Sequence, residues 1–153
     1  MSRAFVRESD QPEPLPDRAV SEHPNLVTPA GLRLIEARLR ELEDARAASR
    51  TEDDPAELAR ISRDLRYWTQ RRATARVIEA APNPEVVRFG VTATLRFEDG
   101  REQAFQLVGE DEADPAHGLV SWTSPLAQTL LGRGRGDDVT ALGEQAEIVH
   151  LTS

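Results

Sequence analysis

Leu107-Val-Gly-Glu-Asp-Glu-Ala-Asp-Pro-Ala-His-Gly-Leu-Val-Ser-Trp-Thr-Ser-Pro-Leu-Ala-Gln-Thr-Leu-Leu-Gly-Arg-Gly-Arg-Gly-Asp-Asp-Val139 sets out a succession of short elements. Glu110–Asp114 is an acidic loop, and Gly118–Thr123 reads as a short strand. Ser124 followed by Pro125 opens a helix, because the hydroxyl caps free N–H groups and proline lacks an N–H where none is needed. That helix runs to Leu131, where Gly132 stops it. Gly136-Asp-Asp-Val139 then begins another strand.

Upstream, Val91, Ala93, Leu95 and Phe97 alternate with Thr92, Thr94, Arg96 and Glu98, the period of a half-buried strand. Asp99-Gly100 is preferred chemistry for a tight hairpin turn, with Ala104–Val108 as the returning strand. Downstream, strands are expected at Val139–Leu142 and Ala146–Leu151. Residues 82–153 therefore read as a compact α+β domain, a mostly antiparallel sheet with one short helix.

Ala81-Pro-Asn-Pro84 separates this unit from a different pattern. Thr28-Pro29 opens a helix in which Leu32, Ile35, Leu39 and Leu42 form one apolar stripe, ending near Arg50. Leu58, Ile61, Leu65 and Trp68 repeat the spacing, continued weakly by Ala75 and Ile78. Two such stripes joined by a short acidic turn predict an antiparallel coiled-coil hairpin over residues 27–81. Residues 1–26 are rich in proline and charge and are expected to form a flexible tail, with Phe5 and Val6 able to dock.

The chain has no cysteine, which excludes disulfides and thiolate metal sites. No apolar run approaches a membrane span and the start lacks a signal-peptide pattern, so a cytoplasmic protein without membrane contact is expected. The net charge of −8 disfavours direct binding to nucleic acid. Residues 1–80 carry 14 Arg against 15 acidic groups, and residues 81–153 carry 5 against 12, so the excess negative charge lies in the second unit.

The order of parts resembles the bacterial Gre factors, the GreA/GreB transcription elongation family, in a short coiled-coil form. The likeness spans roughly residues 27–151 and is strongest at Phe89-Gly90, Val108–Asp114, Ser124–Ala127 and Gly136–Val139; Arg66-Tyr67 and Val77-Ile78 also look like the family's return arm. It implies an FKBP-like C-terminal domain, a bacterial RNA polymerase partner and a coiled coil directed down the polymerase secondary channel. Contact with DNA and RNA is then indirect, within elongation complexes, and a monomer is expected. In the family, a D-x-x-E-N tip helps hold a second Mg²⁺ and orient the water that cuts backtracked RNA. Here Asp54 and Glu57 satisfy D-x-x-E, with Glu52 and Asp53 nearby, but Leu58 replaces the asparagine. Each arm is also shorter than the family's by roughly nine residues, about 13 Å.

Each candidate has a simpler structural alternative. Asp54-Pro55-Ala56-Glu57 is also a helix start with a capping box. The acidic loop is a solvated surface unless, as the resemblance implies, Asp111, Glu112 and Asp114 meet the partner along with Trp122, Ser124 and Pro125. His23, His117 and His150 are scattered, and the chain is expected to need no cofactor beyond a Mg²⁺ shared with the polymerase. Any RNA cleavage is then the polymerase's own activity, so the chain is not itself an enzyme. The leading expectation is a regulator of elongation acting at the secondary channel, stimulating cleavage of backtracked RNA if the tip reaches. The alternative is an occupant or competitor that does not stimulate cleavage. A free-standing FKBP-like prolyl isomerase needs an aromatic-lined pocket from Phe89, Phe97, Phe105 and Trp122. An unrelated coiled-coil interaction protein is the remaining class.

Overall fold

A computed structural model describes residues 14–153. Residues 14–25 run as an extended strap along the hairpin and lead into a two-residue strand, β1 (Leu26–Val27). Thr28 then caps helix α1 (Pro29–Glu52): its hydroxyl oxygen accepts the Gly31 N–H at 3.0 Å. Asp53 ends α1 in the left-handed conformation, φ 53°, and its N–H returns to Ser49 O. Asp54 immediately caps α2 (Pro55–Thr74), so the connection between the helices is as short as capping chemistry permits.

The two stripes meet as their spacing predicts, with Ile35, Ile61 and Leu65 buried between the helices. The second helix stops earlier than its stripe suggests. Beyond Thr74 the chain extends into β2 (Arg76–Val77), parallel to β1, with Arg76 and Ile78 N–H groups donating to Asn25 and Val27 carbonyls. Val77 and Ile78 are exposed rather than part of the hairpin core.

The expected tail also differs. Residues 1–13, including Phe5 and Val6, lie outside the described residues, while residues 14–26 are held against the hairpin. Arg66 donates to the Asp17 carboxylate at 2.5 Å and to the Leu15 carbonyl at 3.1 Å. Arg18 stacks 3.9 Å above the Tyr67 ring and reaches Asp64 at 3.4 Å. These partners lie more than forty residues away, so composition alone does not reveal them.

The second unit is a five-stranded sheet of β3 (Thr92–Phe97), β4 (Glu102–Val108), β5 (Leu119–Ser121), β6 (Asp138–Ala141) and β7 (Glu144–Thr152). The spatial order is β5-β4-β3-β7-β6; only β4 and β5 pair in parallel. The register of β3 against β7 shifts between Thr94 and Leu95, leaving Val149 as an extra residue. Helix α3 (Pro125–Leu130) seats Ala127 and Leu130 in a core with Val87, Leu95, Leu107 and Ile148, all fully buried.

The turn after β3 is not the two-residue type. Gly100 has φ +84° while Asp99 is not left-handed, and Phe97 bonds both Gly100 and Arg101, as in a three-residue loop with a glycine bulge. The two-residue turn lies instead between β6 and β7, where Leu142 and Gly143 both have positive φ.

Candidate functional site

At the hairpin tip, Asp54 does what its position beside Pro55 dictates: its carboxylate accepts the Glu57 N–H at 3.2 Å. Glu57 is paired with Arg60 one turn on. Glu52 and Asp53 are exposed beside them. As they stand, these groups do not fit a Mg²⁺ site of their own. One Asp54 oxygen serves the cap, Glu57 already faces a guanidinium, and no described group of three or more His, Cys, Asp or Glu is placed to hold a metal. At 1.5 Å per residue, α2 carries the tip about 30 Å from its other end.

That other end is where the acidic loop goes to work. Three consecutive carboxylates each take hold of a different segment of the N-terminal half. Glu110 accepts from the Ser21 hydroxyl at 2.9 Å, on the strap. Asp111 accepts from Tyr67 Oη at 2.5 Å and Arg71 Nε at 2.6 Å, on α2. Glu112 accepts from the Thr28 N–H at 3.2 Å and from the Thr28 hydroxyl, at the start of α1, and from the Gly109 N–H at 3.2 Å. The expected partner contacts Asp111 and Glu112 are thus committed within the molecule, to fixing the hairpin on the sheet domain.

Arg71 is only 2% exposed and the Asp111 side chain 8%. A buried pair of this kind costs desolvation, which the close geometry and the added phenol hydrogen bond offset. Burial, then the hydrogen bond and charge of Asp111, push the Tyr67 phenol up to about 12. Arg71 and Tyr67 escape a search for chemical motifs.

Asp114, Trp122, Ser124 and Pro125 do not merge with the tip; they belong to the sheet domain beside the joint. Ser124 caps α3, accepting the Ala127 N–H at 3.2 Å, and leaves Pro125 exposed. Asp114 faces the His117 ring at 2.6 Å and is half exposed. Trp122 is half-buried, with the His23 ring edge-on at 5.9 Å. Phe89 and Phe97 line two separate clefts and Phe105 lines neither, so these rings do not converge on one aromatic pocket of the kind an isomerase needs. Among the described residues no helix is long and apolar enough to cross a membrane.

Residues 81–151 match the family described as transcription elongation factor, GreA/GreB, C-terminal. Over 148 residues the chain is 30% identical to transcription elongation factor GreA of Paracoccus denitrificans, covering 82% of this chain and 95% of that one. It is 42% identical over 81 residues to transcription elongation factor GreB of Neisseria meningitidis serogroup B, covering 52% of this chain and 50% of the other. The chain thus spans about half the length of that GreB and of several similar relatives. The crystal structure of GreA factor homolog 1 of Thermus thermophilus aligns with a TM-score of 0.43 at 19% identity, covering 86% of this chain and 100% of that one.

Proposed function

The chain belongs to the GreA/GreB family of transcription elongation factors, and we propose that it regulates elongation by binding bacterial RNA polymerase at the secondary channel. The sheet domain docks at the channel entrance through the corner of Asp114, Trp122, Ser124 and Pro125, and the hairpin points inward. DNA and RNA are met only within the elongation complex, as suits a chain of net charge −8.

The braced hairpin carries this proposal. A two-helix arm on its own has little core and no defined direction. Here Asp111 and Glu112 hold its base, so the acidic tip is presented at a set angle to the sheet domain. The tip acts by occupying the channel. Asp54 and Glu57 are engaged in a helix cap and an Arg60 pair, Leu58 replaces the family's asparagine, and the arms are short.

A second reading, assistance to the polymerase's own cleavage of backtracked RNA, is favoured by the clustering of Glu52, Asp53, Asp54 and Glu57 at the tip. Asp54→Asn separates the two, since asparagine caps a helix as well as aspartate but carries no charge. The decisive experiment measures binding to core polymerase and RNA cleavage in halted, backtracked complexes. Binding with unaccelerated cleavage supports occupancy. Acceleration by the wild type that Asp54→Asn abolishes establishes the second reading, and absence of binding sinks both.

A further inference from the structure

Residues 14–23 and residues 25–27 are attached to the rest of the molecule in different ways. Asn25 and Val27 are buried, and backbone hydrogen bonds tie this short piece to Arg76 and Ile78. The Asn25 amide also donates to Arg71 O at 2.8 Å. Upstream of Pro24 the strap is held mainly through exposed side chains: Asp17 to Arg66, Arg18 to Asp64 and Tyr67, Ser21 to Glu110, and His23 to Trp122. Each such contact is individually weak and solvent-screened. An anchored base with a loosely attached upstream segment is a strap that can lift without unfolding what it is tied to.

Where it crosses the sheet domain, the seam is imperfect. Buried polar atoms almost always find partners. Yet Trp122 Nε1, beside His23, has none, and Glu110 Oε2 has no hydrogen bond, only the Arg71 guanidinium 3.8 Å away. Asn25 Oδ1, on the anchored base, is the remaining described atom of this kind. In the closed form the indole N–H is therefore held out of water with nothing to bond to.

We propose that residues 14–23 are a releasable autoinhibitory cover over Trp122 and Glu110, displaced when a partner docks on this corner. The inference rests on the docking face assigned above. The displacing surface must offer an acceptor to the indole N–H and, in place of Ser21, a donor to Glu110. A partner that binds only the open form has its apparent affinity scaled down in proportion to the open fraction, which makes the strap a setting for affinity.

The test uses the full chain and core RNA polymerase. Asp17→Ala/Arg18→Ala/His23→Ala loosens the cover through exposed residues alone. Trp68→Phe in both backgrounds leaves Trp122 as the sole tryptophan, so acrylamide quenching reports its access. The loosened chain is expected to show greater quenching without polymerase and about tenfold tighter binding. Greater quenching with unchanged or weaker binding overturns autoinhibition, leaving the segment as a brace. Unchanged quenching overturns release itself. Trp122→Phe and Ser124→Glu in the loosened chain probe the docking face separately. If both bind as tightly as their parent, the docking assignment fails and the cover falls with it; if they weaken binding while loosening confers no gain, only the cover fails.

Discussion

Tyr67 is the chain's sole tyrosine, so its ionisation reads the joint without interference. Burial, reinforced by the hydrogen bond to Asp111 and its charge, favours the neutral phenol in the folded protein. With its folded pKa raised from 10.0 to about 12, the contribution is fully present below pH 10 and is lost as pH climbs through about 12. Near-ultraviolet titration of phenolate should show a midpoint near 12, and Asp111→Asn should lower it while leaving it above 10, since burial persists. A wild-type midpoint at 10 means the phenol is not in the joint. Gly31 reports the neighbouring contact, because a Cβ there would overlap the Glu112 carboxylate that accepts the Thr28 N–H at the start of α1. Gly31→Ala should therefore destabilise the wild type, yet stabilise Glu112→Ala by roughly 0.5–1 kcal/mol, alanine being the better helix former. Additive effects in denaturant melts of the four chains would falsify the contact. The Thr28, Asp54 and Ser124 caps are legible in sequence, because a cap's partner lies within three positions. Asp111 finds Arg71 forty residues away, and nothing local distinguishes it from a solvated aspartate.

Elements whose signal is a period were readable for the same reason. Alternation over Val91–Phe97 and the stripe from Leu58 to Trp68 each describe one face against one core, and both appear where expected. The β1–β2 pair was not readable, since two extended residues have no period; their strand character exists only because each supplies the other's hydrogen bonds. Turns lie between these cases. Asp99-Gly100 looks like a two-residue turn but forms a three-residue one, while Leu142-Gly143 looks like no turn and forms the two-residue one. Leu142 has φ 54° and is 63% exposed, a conformation that disfavours a side chain branched beyond Cβ and leaves apolar surface in water. Leu142→Asn should raise sheet-domain stability by about 1 kcal/mol, because asparagine tolerates the left-handed region. Thermal melts should move upward; a lower melting temperature places this side chain in a stabilising contact instead.

At the scale of the whole molecule, the question is whether the hairpin and the sheet domain unfold together. The buried cluster of the sheet domain runs from Val87 to Ile148 and draws nothing from the hairpin, so it is able to stand alone. The hairpin is not so equipped: a few buried aliphatic side chains between two helices leave it dependent on its attachment. That attachment runs chiefly through the three carboxylates and centres on the Arg71–Asp111 pair. Arg71→Leu keeps an apolar stem but leaves Asp111 buried opposite only a phenol, a loss of about 3–5 kcal/mol when one partner of a buried pair is removed. The wild type is expected to unfold in one transition, because the joint adds its free energy to the weaker unit. Arg71→Leu should split it, the helical signal falling first and the sheet-domain core surviving. Leu65→Asp, which attacks the hairpin interior, should give the same early helical loss. Circular dichroism for helix, alongside amide exchange at Leu95, Leu107 and Ile148, reads the two units separately. If Arg71→Leu still unfolds in one step with core exchange lost together with helix, the units are coupled through β1, β2 and the strap rather than through the carboxylates. The angle of the hairpin then belongs to the backbone pairing at its base.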